Sequence, residues 1–371
     1  AVAENGCGRA LPDCLIAAPR ADRVGIVGRT IAGMLSDAAR RDDIARRERV
    51  LRSIANWRPD ARDPTLPLLS IVISTYNRGR FVEENVRWLL RILPEVRGDV
   101  RLAVLDNAST DDTLERLAKF GDNTRLTVIS NPVNLGMLGN LRACSVLVQA
   151  RHVWITGDDD FITPAGLSDV GDGVIAPPEV PVVFLNFGVY RRRALADNDR
   201  AQRLSAEHIP LAAKPVPSGL YPVKRICEQH DNFFTAFYPI VFRSDLLAAC
   251  FDYPFDGKPF VNLVESVPTT KMILEAYADT DAYWCARIGT VGNIANSWSR
   301  HLPRWHAVLM PQVFQLARRV GVDPVRLHQW ARLHIELFRE AEAAASGAAL
   351  DIEPAELDVA HQVFQQPLVL A

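Results

Sequence analysis

The chain has 371 residues, 48% of them hydrophobic and 23% charged, with a formal net charge of −2. This is enough for a substantial core and more than one lobe. The near-neutral balance argues against a general nucleic-acid surface: the basic runs Arg191-Arg-Arg193 and Arg40-Arg41 read as solvated faces, with an anionic lipid or phosphate acceptor left open. No apolar stretch approaches the ~20 residues of a membrane span, and the amino terminus lacks the apolar core of a signal peptide. Six cysteines without C-x-x-C spacing fit a reduced, cytoplasmic protein, with peripheral contact at the inner membrane face left open.

In chain order, residues 1–20 show no clear period and read as a loose or docked arm. Residues 28–57 place Ile31, Leu35, Ile44, Val50, Leu51, Ile54 and Trp57 among arginines and acids, predicting one or two amphipathic helices that pack on the core or form a partner surface. Pro59, Pro64 and Pro67 mark a linker. Ser70 to Ser74 is then a β-branched run typical of a strand buried on both faces, broken by the polar turn Thr75-Tyr-Asn-Arg-Gly79. Val82, Val86, Leu89, Leu90 and Leu93 follow at helical spacing, with Pro94 and Gly98 as stops. Val100 to Leu105 is a second strand ending in Asp106-Asn-Ala-Ser-Thr-Asp-Asp112, whose hydroxyls and acids suit the cap of a helix over 113–120. Leu126 to Ile129 is a third, leading through Asn131-Pro-Val-Asn-Leu-Gly136 into a helix ending near Ala150.

A fourth apolar run closes in Trp154-Ile-Thr-Gly-Asp-Asp-Asp160. Three adjacent carboxylates repel one another and resist unpaired burial, so at a strand tip they call for a cation, and hard oxygens on a short turn suit Mg²⁺ or Mn²⁺. The plainer alternative is a solvated acidic turn. The alternation of strands and helices predicts a parallel α/β sheet with helices on both faces. Ligands of such sheets sit outside the carboxyl ends of the strands, where all of these polar clusters fall.

Ser70-Ile-Val-Ile-Ser-Thr-Tyr-Asn-Arg78, Val104-Leu-Asp-Asn-Ala-Ser-Thr-Asp-Asp-Thr113, Asn131-Pro-Val-Asn-Leu-Gly136 and Gly157-Asp-Asp-Asp-Phe-Ile-Thr-Pro164, in this order, resemble the inverting glycosyltransferases of family 2. The resemblance is strongest over residues 68–170. It implies a GT-A fold, with a Rossmann-like, mostly parallel sheet and helical additions at both termini. The implied regions are an amino-terminal arm and helical segment (1–66), a nucleotide-sugar-binding half (67–170), an acceptor-binding half (171–302) and a carboxyl-terminal helical region (303–371). By the same resemblance Thr75, Tyr76, Asn77 and Arg78 line the base and ribose pocket, Asp106 meets the base, and Asn134, Gly136 and Arg142 shape the donor pocket. The Asp triplet takes the place of the metal motif. With Pro164 as anchor, the first acid of the commonest family pattern falls on Gly157, which leaves Asp158 toward ribose, Asp159 as a direct ligand, and Asp160 as ligand or supporting acid.

An inverting transfer needs a base on the acceptor hydroxyl, and a positioned carboxylate serves. The family's acid before a helix maps to Glu265 in Val264-Glu-Ser-Val-Pro268, with Asp231 and Asp256 as alternatives and helix capping or a Lys271 contact as the structural reading. His301 is a candidate third metal ligand or a structural histidine. Arg300 and Arg304 are candidate phosphate contacts, and Trp298 a stacking or core indole. The expected reaction is metal-dependent transfer of a sugar from a nucleoside-diphosphate sugar, UDP by default with dTDP, GDP and CDP open, to a hydroxyl of a saccharide, lipid-linked glycan or small natural product. A sugar nucleotidyltransferase is the alternative enzyme, disfavoured because a glycine-rich, lysine-bearing phosphate loop is absent near the first strand. A non-catalytic nucleotide-sugar-binding protein is the other alternative. The terminal helices are a candidate surface for homo-oligomers.

Overall fold

The computed structural model describes residues 37–55, 57–175, 180–190, 209–210, 216–229, 234–253, 260–293, 301–344, 352 and 355–356. Strands β1 (Leu69–Thr75), β2 (Val100–Asp106), β3 (Leu126–Ser130) and β4 (His152–Gly157) form a parallel block in the order β3-β2-β1-β4. The register pairs Leu69 with Val100 and with His152, so Thr75, Asp106, Ser130 and Gly157 end at one rim.

Alternation along β1 sorts its side chains between two buried layers. Ile71 and Ile73 pack with Val82, Val86 and Leu89 of α2 (Gly79–Ile92) and Leu117 of α3 (Thr113–Ala118). Val72 faces the other layer, with Leu138, Leu141 and Ala143 of α4 (Gly136–Leu147) and Val50 and Ile54 of α1 (Asp37–Ile54). Two covered faces explain the unbroken apolar runs in these strands.

Beyond β4 the topology changes. The short β5 (Phe161–Ile162) and α5 (Pro164–Ile175) precede β6 (Val182–Tyr190), β7 (Ile209–Pro210), β8 (Gly219–Pro222) and α6 (Val223–Gln229). Next come β9 (Ile240–Arg243), α7 (Ser244–Cys250), α8 (Pro268–Tyr277) and the long β10 (Asp281–Asn293). The sheet continues β4-β9-β6-β10-β5, with β7 on β6 and β8 on β10. Here β9, β5, β7 and β8 all pair antiparallel, and β6 with β10 is parallel, so the mostly parallel expectation describes the first four strands and the sheet as a whole is mixed. Register shifts in β10 between Cys285 and Thr290 obscure a strand period across Ala286-Arg-Ile-Gly289.

A helical turn (Leu302–Arg304) and a π-helical turn (Trp305–Leu309) run into α9 (Met310–Arg319). Gly321, at φ +82°, ends that run, and α10 (Pro324–Ala344) follows. Met310, Val313, Phe314 and Trp330 share one buried cluster with Val50, Ile54, Val72 and Phe184, so both terminal helical segments close the same face of the sheet. Cys144, Cys227, Cys250 and Cys285 are free and buried, while Cys7 and Cys14 lie outside the described residues. Among the described residues no helix is long and apolar enough to cross a membrane.

Gly166 of α5 lies directly against β10: a Cβ there would meet the Gly289 Cα at 2.2 Å. Backbone cannot yield as a side-chain tip can, so Gly166→Ala is expected to push α5 off the sheet and lower stability by about 1–3 kcal/mol. A shift of the urea midpoint tests this, and a parental midpoint would refute the close approach.

Candidate functional site

The parallel register of β1 and β4 brings Thr75 and Arg78, at the end of one strand, to Asp158 and Asp159, just past the end of the other. Thr75 Oγ1 donates to Asp158 Oδ2 at 2.7 Å. Arg78 forks across the turn, with Nε 3.0 Å from Asp158 Oδ1 and Nη2 2.7 Å from Asp159 Oδ2, while its guanidinium lies 4.2 Å from the centre of the Phe81 ring. Burial disfavours the Arg78 charge, but Asp158 and Asp159 outweigh it and raise its pKa.

The same turn is tied down from two other elements. Asn85, fully buried within α2, donates Nδ2 to the carbonyls of Gly157 (3.1 Å) and Asp160 (2.8 Å). Asn293, at the end of β10, donates Nδ2 to Asp159 Oδ2 and its backbone N–H to Asp160 Oδ1, both at 3.2 Å. Desolvation, followed by the neighbouring Asp159 charge, lifts Asp160 well above the usual carboxylate range; desolvation does the same for Asp158, against the pull of Arg78. Asp160 Oδ2 also accepts from Gly157 N, and a Cβ at 157 would fall 2.7 Å from that oxygen. An aspartate at 157 would therefore displace Asp160, a steric reason for glycine there.

The neighbouring rim is held by neutral amides. Asn107, nearly buried, donates to Asn134 Oδ1 (3.0 Å) and Gly136 O (3.2 Å), and its Oδ1 accepts from Leu135 N (2.8 Å). Asn134 Oδ1 also accepts from Gly136 N at 2.8 Å, in a turn that Gly136 completes at φ +75°. Asn131 and Asn140 carry this lattice on to Ser74 Oγ. Asn77 sits at φ +53°, where its Oδ1 takes Thr110 N (2.7 Å) and its own N–H meets Ser109 Oγ (2.8 Å), joining the loops after β1 and β2. Asp106 is fully buried, accepting from Ser109 N and Ser130 Oγ, and desolvation raises its pKa against those bonds.

The structure gathers Thr75, Asn77, Arg78, Asp106, Asn134, Gly136, Asp158, Asp159 and Asp160 at this rim, with Tyr76 exposed beside them. Arg142 departs from the expectation: on α4 its Nη2 donates to Ala55 O at 3.2 Å, so it braces the end of α1. The His301 ring stacks on Phe260, with centroids 4.7 Å apart, and among the described residues no three His, Cys, Asp or Glu side chains, the Asp triplet included, form a metal-binding group. Arg304 bridges Phe260 O and Glu356. Glu265 is nearly buried, and its charge, after desolvation, helps raise the Tyr253 pKa. Lys271 pairs with Glu275, and α8 starts at Pro268 with Val267 as N-cap and no side-chain cap bond, so neither structural reading of Glu265 describes this arrangement. Asp231, Asp256, Trp298 and Arg300 lie outside the described residues. Sequence reasoning missed Asn85, Asn107, Asn131, Asn140 and Asn293. Asn107 and Asn131 lie inside quoted motifs and Asn140 just beyond one, while Asn85 falls among the apolar positions of an amphipathic helix.

A mixed sheet with a parallel four-strand block, an acidic turn and a polar loop ring at the strand carboxyl ends is the GT-A architecture. Residues 70–219 match the family model of Glycosyl transferase family 2. Abequosyltransferase RfbV of Salmonella typhimurium strain LT2 is 33% identical over 103 residues, which are 27% of this chain and 31% of that protein's length. The solved TarS 1–349 of S. aureus in complex with UDP-GlcNAc superposes with a TM-score of 0.51 at 14% identity, covering 80% of each chain, a likeness of fold. Mannosyltransferase PcManGT from Pyrobaculum calidifontis, in complex with GDP-Man and Mn²⁺, gives a TM-score of 0.47 at 16% identity over 87% of this chain and 88% of that one.

Because the Asn107 side chain ties the end of β2 to the loop between β3 and α4, Asn107→Ala leaves Leu135 N without its acceptor and Asn134 Oδ1 with one donor fewer. Stability is expected to fall by about 1–3 kcal/mol. Guanidinium unfolding checks this, and a loss below about 0.5 kcal/mol would mean that the lattice holds without it.

Proposed function

We propose that this protein is an inverting, divalent-cation-dependent glycosyltransferase that takes a sugar from a nucleoside-diphosphate donor. The observation that carries the reading is the acidic turn 157–160, clamped by Arg78 and Asn293 at the strand rim beside the Asn77, Asp106 and Asn134 loops. Three carboxylates face one guanidinium there, so the charge surplus and the hard oxygen donors fit Mg²⁺ or Mn²⁺. Asp159, with Asp160, would hold the ion. Two protein carboxylates are a usual complement for a cation that also binds substrate phosphates. When bound, it would neutralise charge on the leaving diphosphate.

The chain's own residues do the rest. Tyr76, exposed at the rim, offers a face for the base, and Asp106, buried behind the rim, keeps lone pairs beyond those taken by Ser109 and Ser130 that a base or ribose N–H or O–H reaches once the covering loop moves aside. The Asn107–Asn134 lattice fixes the loop that would follow the diphosphate. Glu265, before α8, takes the acceptor proton as attack occurs opposite the departing nucleotide, which inverts the anomeric centre. The acceptor is a hydroxyl compound, and the nucleotide is UDP, GDP, CDP or dTDP.

Asp159→Asn should keep the fold, since Arg78 retains Asp158, but lose Mn²⁺-dependent stabilisation by nucleoside diphosphates, because an amide is a poorer ligand for a hard cation. Thermal-shift curves with UDP, GDP, CDP and dTDP, with and without Mn²⁺, read this out. A parental Mn²⁺-dependent shift in the variant would remove Asp159 from the metal site.

Glu265→Gln should leave donor affinity unchanged while turnover drops on the order of 10²–10⁴-fold. Donor titration beside a transfer assay separates the two. Near-parental turnover in this variant, with collapse in Asp231→Asn or Asp256→Asn, would move the base to that aspartate.

A further inference from the structure

We propose that α1, which lies outside the family-matched stretch, sets the position of the donor loop 131–136, with Arg47 as its positioning residue. The inference rests on reading that loop as part of the nucleotide-sugar site. Arg47 is half-buried and its Nε donates to Asn134 O at 2.9 Å, while Arg46 Nη2 reaches Pro132 O at 3.5 Å. Two successive arginines thus bind two carbonyls of one loop. The peptide that Arg47 holds belongs to the residue whose side chain accepts from Gly136 N and Asn107 Nδ2. Carbonyl and side chain of Asn134 are then fixed from opposite directions, one by α1 and one by the β2 rim.

A clamp needs a rigid mount. Val50 and Ile54 are buried with Leu135, Leu138 and Leu141, and Leu51 packs against Gly139, where a Cβ would come within 3.4 Å of it. At the other end, Arg142 of α4 donates back to Ala55 O, and Arg58 pairs with Asp252 at 2.9 Å. The carboxyl-terminal half of the helix is fastened to α4 and hands its arginines to the loop that leads into α4. Gly136, at positive φ, leaves that loop backbone latitude which the α1 contacts remove. Donor affinity should therefore depend on a helix that makes no contact with the acidic turn among the described residues.

The test uses the full chain with Arg47→Ala, Arg47→Lys and, as a control on the same helix, Arg52→Ala, whose exposed side chain pairs with Glu48. Three quantities are measured: amide exchange at Leu135 and Gly136, calorimetric affinity for UDP, GDP, CDP and dTDP with Mn²⁺, and donor KM and kcat. Arg47→Ala should speed exchange at both amides and weaken nucleotide affinity and donor KM by about 3- to 10-fold, with kcat within about twofold. Arg47→Lys, which can still donate to the carbonyl, should recover most of the loss, and Arg52→Ala should match the parent. Parental exchange in Arg47→Ala overturns the proposal, as does a Lys variant no better than Ala or a loss confined to kcat. Faster exchange with unchanged nucleotide affinity would leave the clamp standing and remove the loop from the donor site, so failure of that reading is told apart from failure of this one.

Discussion

The contact on which the rim depends is the fork of Arg78 across Asp158 and Asp159. Three consecutive acids at the end of a buried strand would otherwise meet mutual repulsion and desolvation, each of which disfavours ionisation. One guanidinium relieves part of this and joins the loop after β1 to the turn after β4. Its planar fork, seated on Phe81, sets direction as well as charge, which a lysine ammonium would not do. Three carboxylates against one guanidinium leave the turn with a surplus of acidic groups.

Around that charged centre the protein uses neutral groups. Asn85 holds the carbonyls of the acidic turn, Asn293 reaches it from the far strand, and Asn107, Asn131, Asn134 and Asn140 interlock the loops beside it. An amide both donates and accepts, so a chain of them can satisfy buried backbone groups from several loops without adding charge. Charge stays concentrated at the acidic turn, and the loops beside it are fixed to one another by neutral contacts.

The supporting layers extend beyond the family-matched stretch. One buried cluster contains residues of α1, α4, α7, α8, α9 and α10, so the helical segments before and after the sheet are part of its closure. Arg142 illustrates how position in a motif and role in a fold can part. It follows the 131–136 loop in sequence, yet α4 carries its guanidinium to the carboxyl end of α1.

What the sequence determined by itself was local: strands with two covered faces, the helices between them, the polar residues closing each strand, and hence the parallel block and the rim at its carboxyl ends. Apolar period, Gly, Pro and Asp are short-range signals, and β1 to β4 are built from contiguous segments that express them. The tertiary structure alone decided which distant side chains complete the rim. Asn85 looks like one more polar residue on a helix until the buried face of α2 is placed under the acidic turn. Asn293 acts through pairing of β10 with β6, at the end of a strand whose bulge hides its period. His301 stacks on Phe260, a residue distant from it in sequence whose approach no local pattern announces. Contacts across more than a hundred residues, like Asn293 to Asp159, leave no periodic trace in the chain, because they depend on where whole elements dock and not on what any one segment prefers.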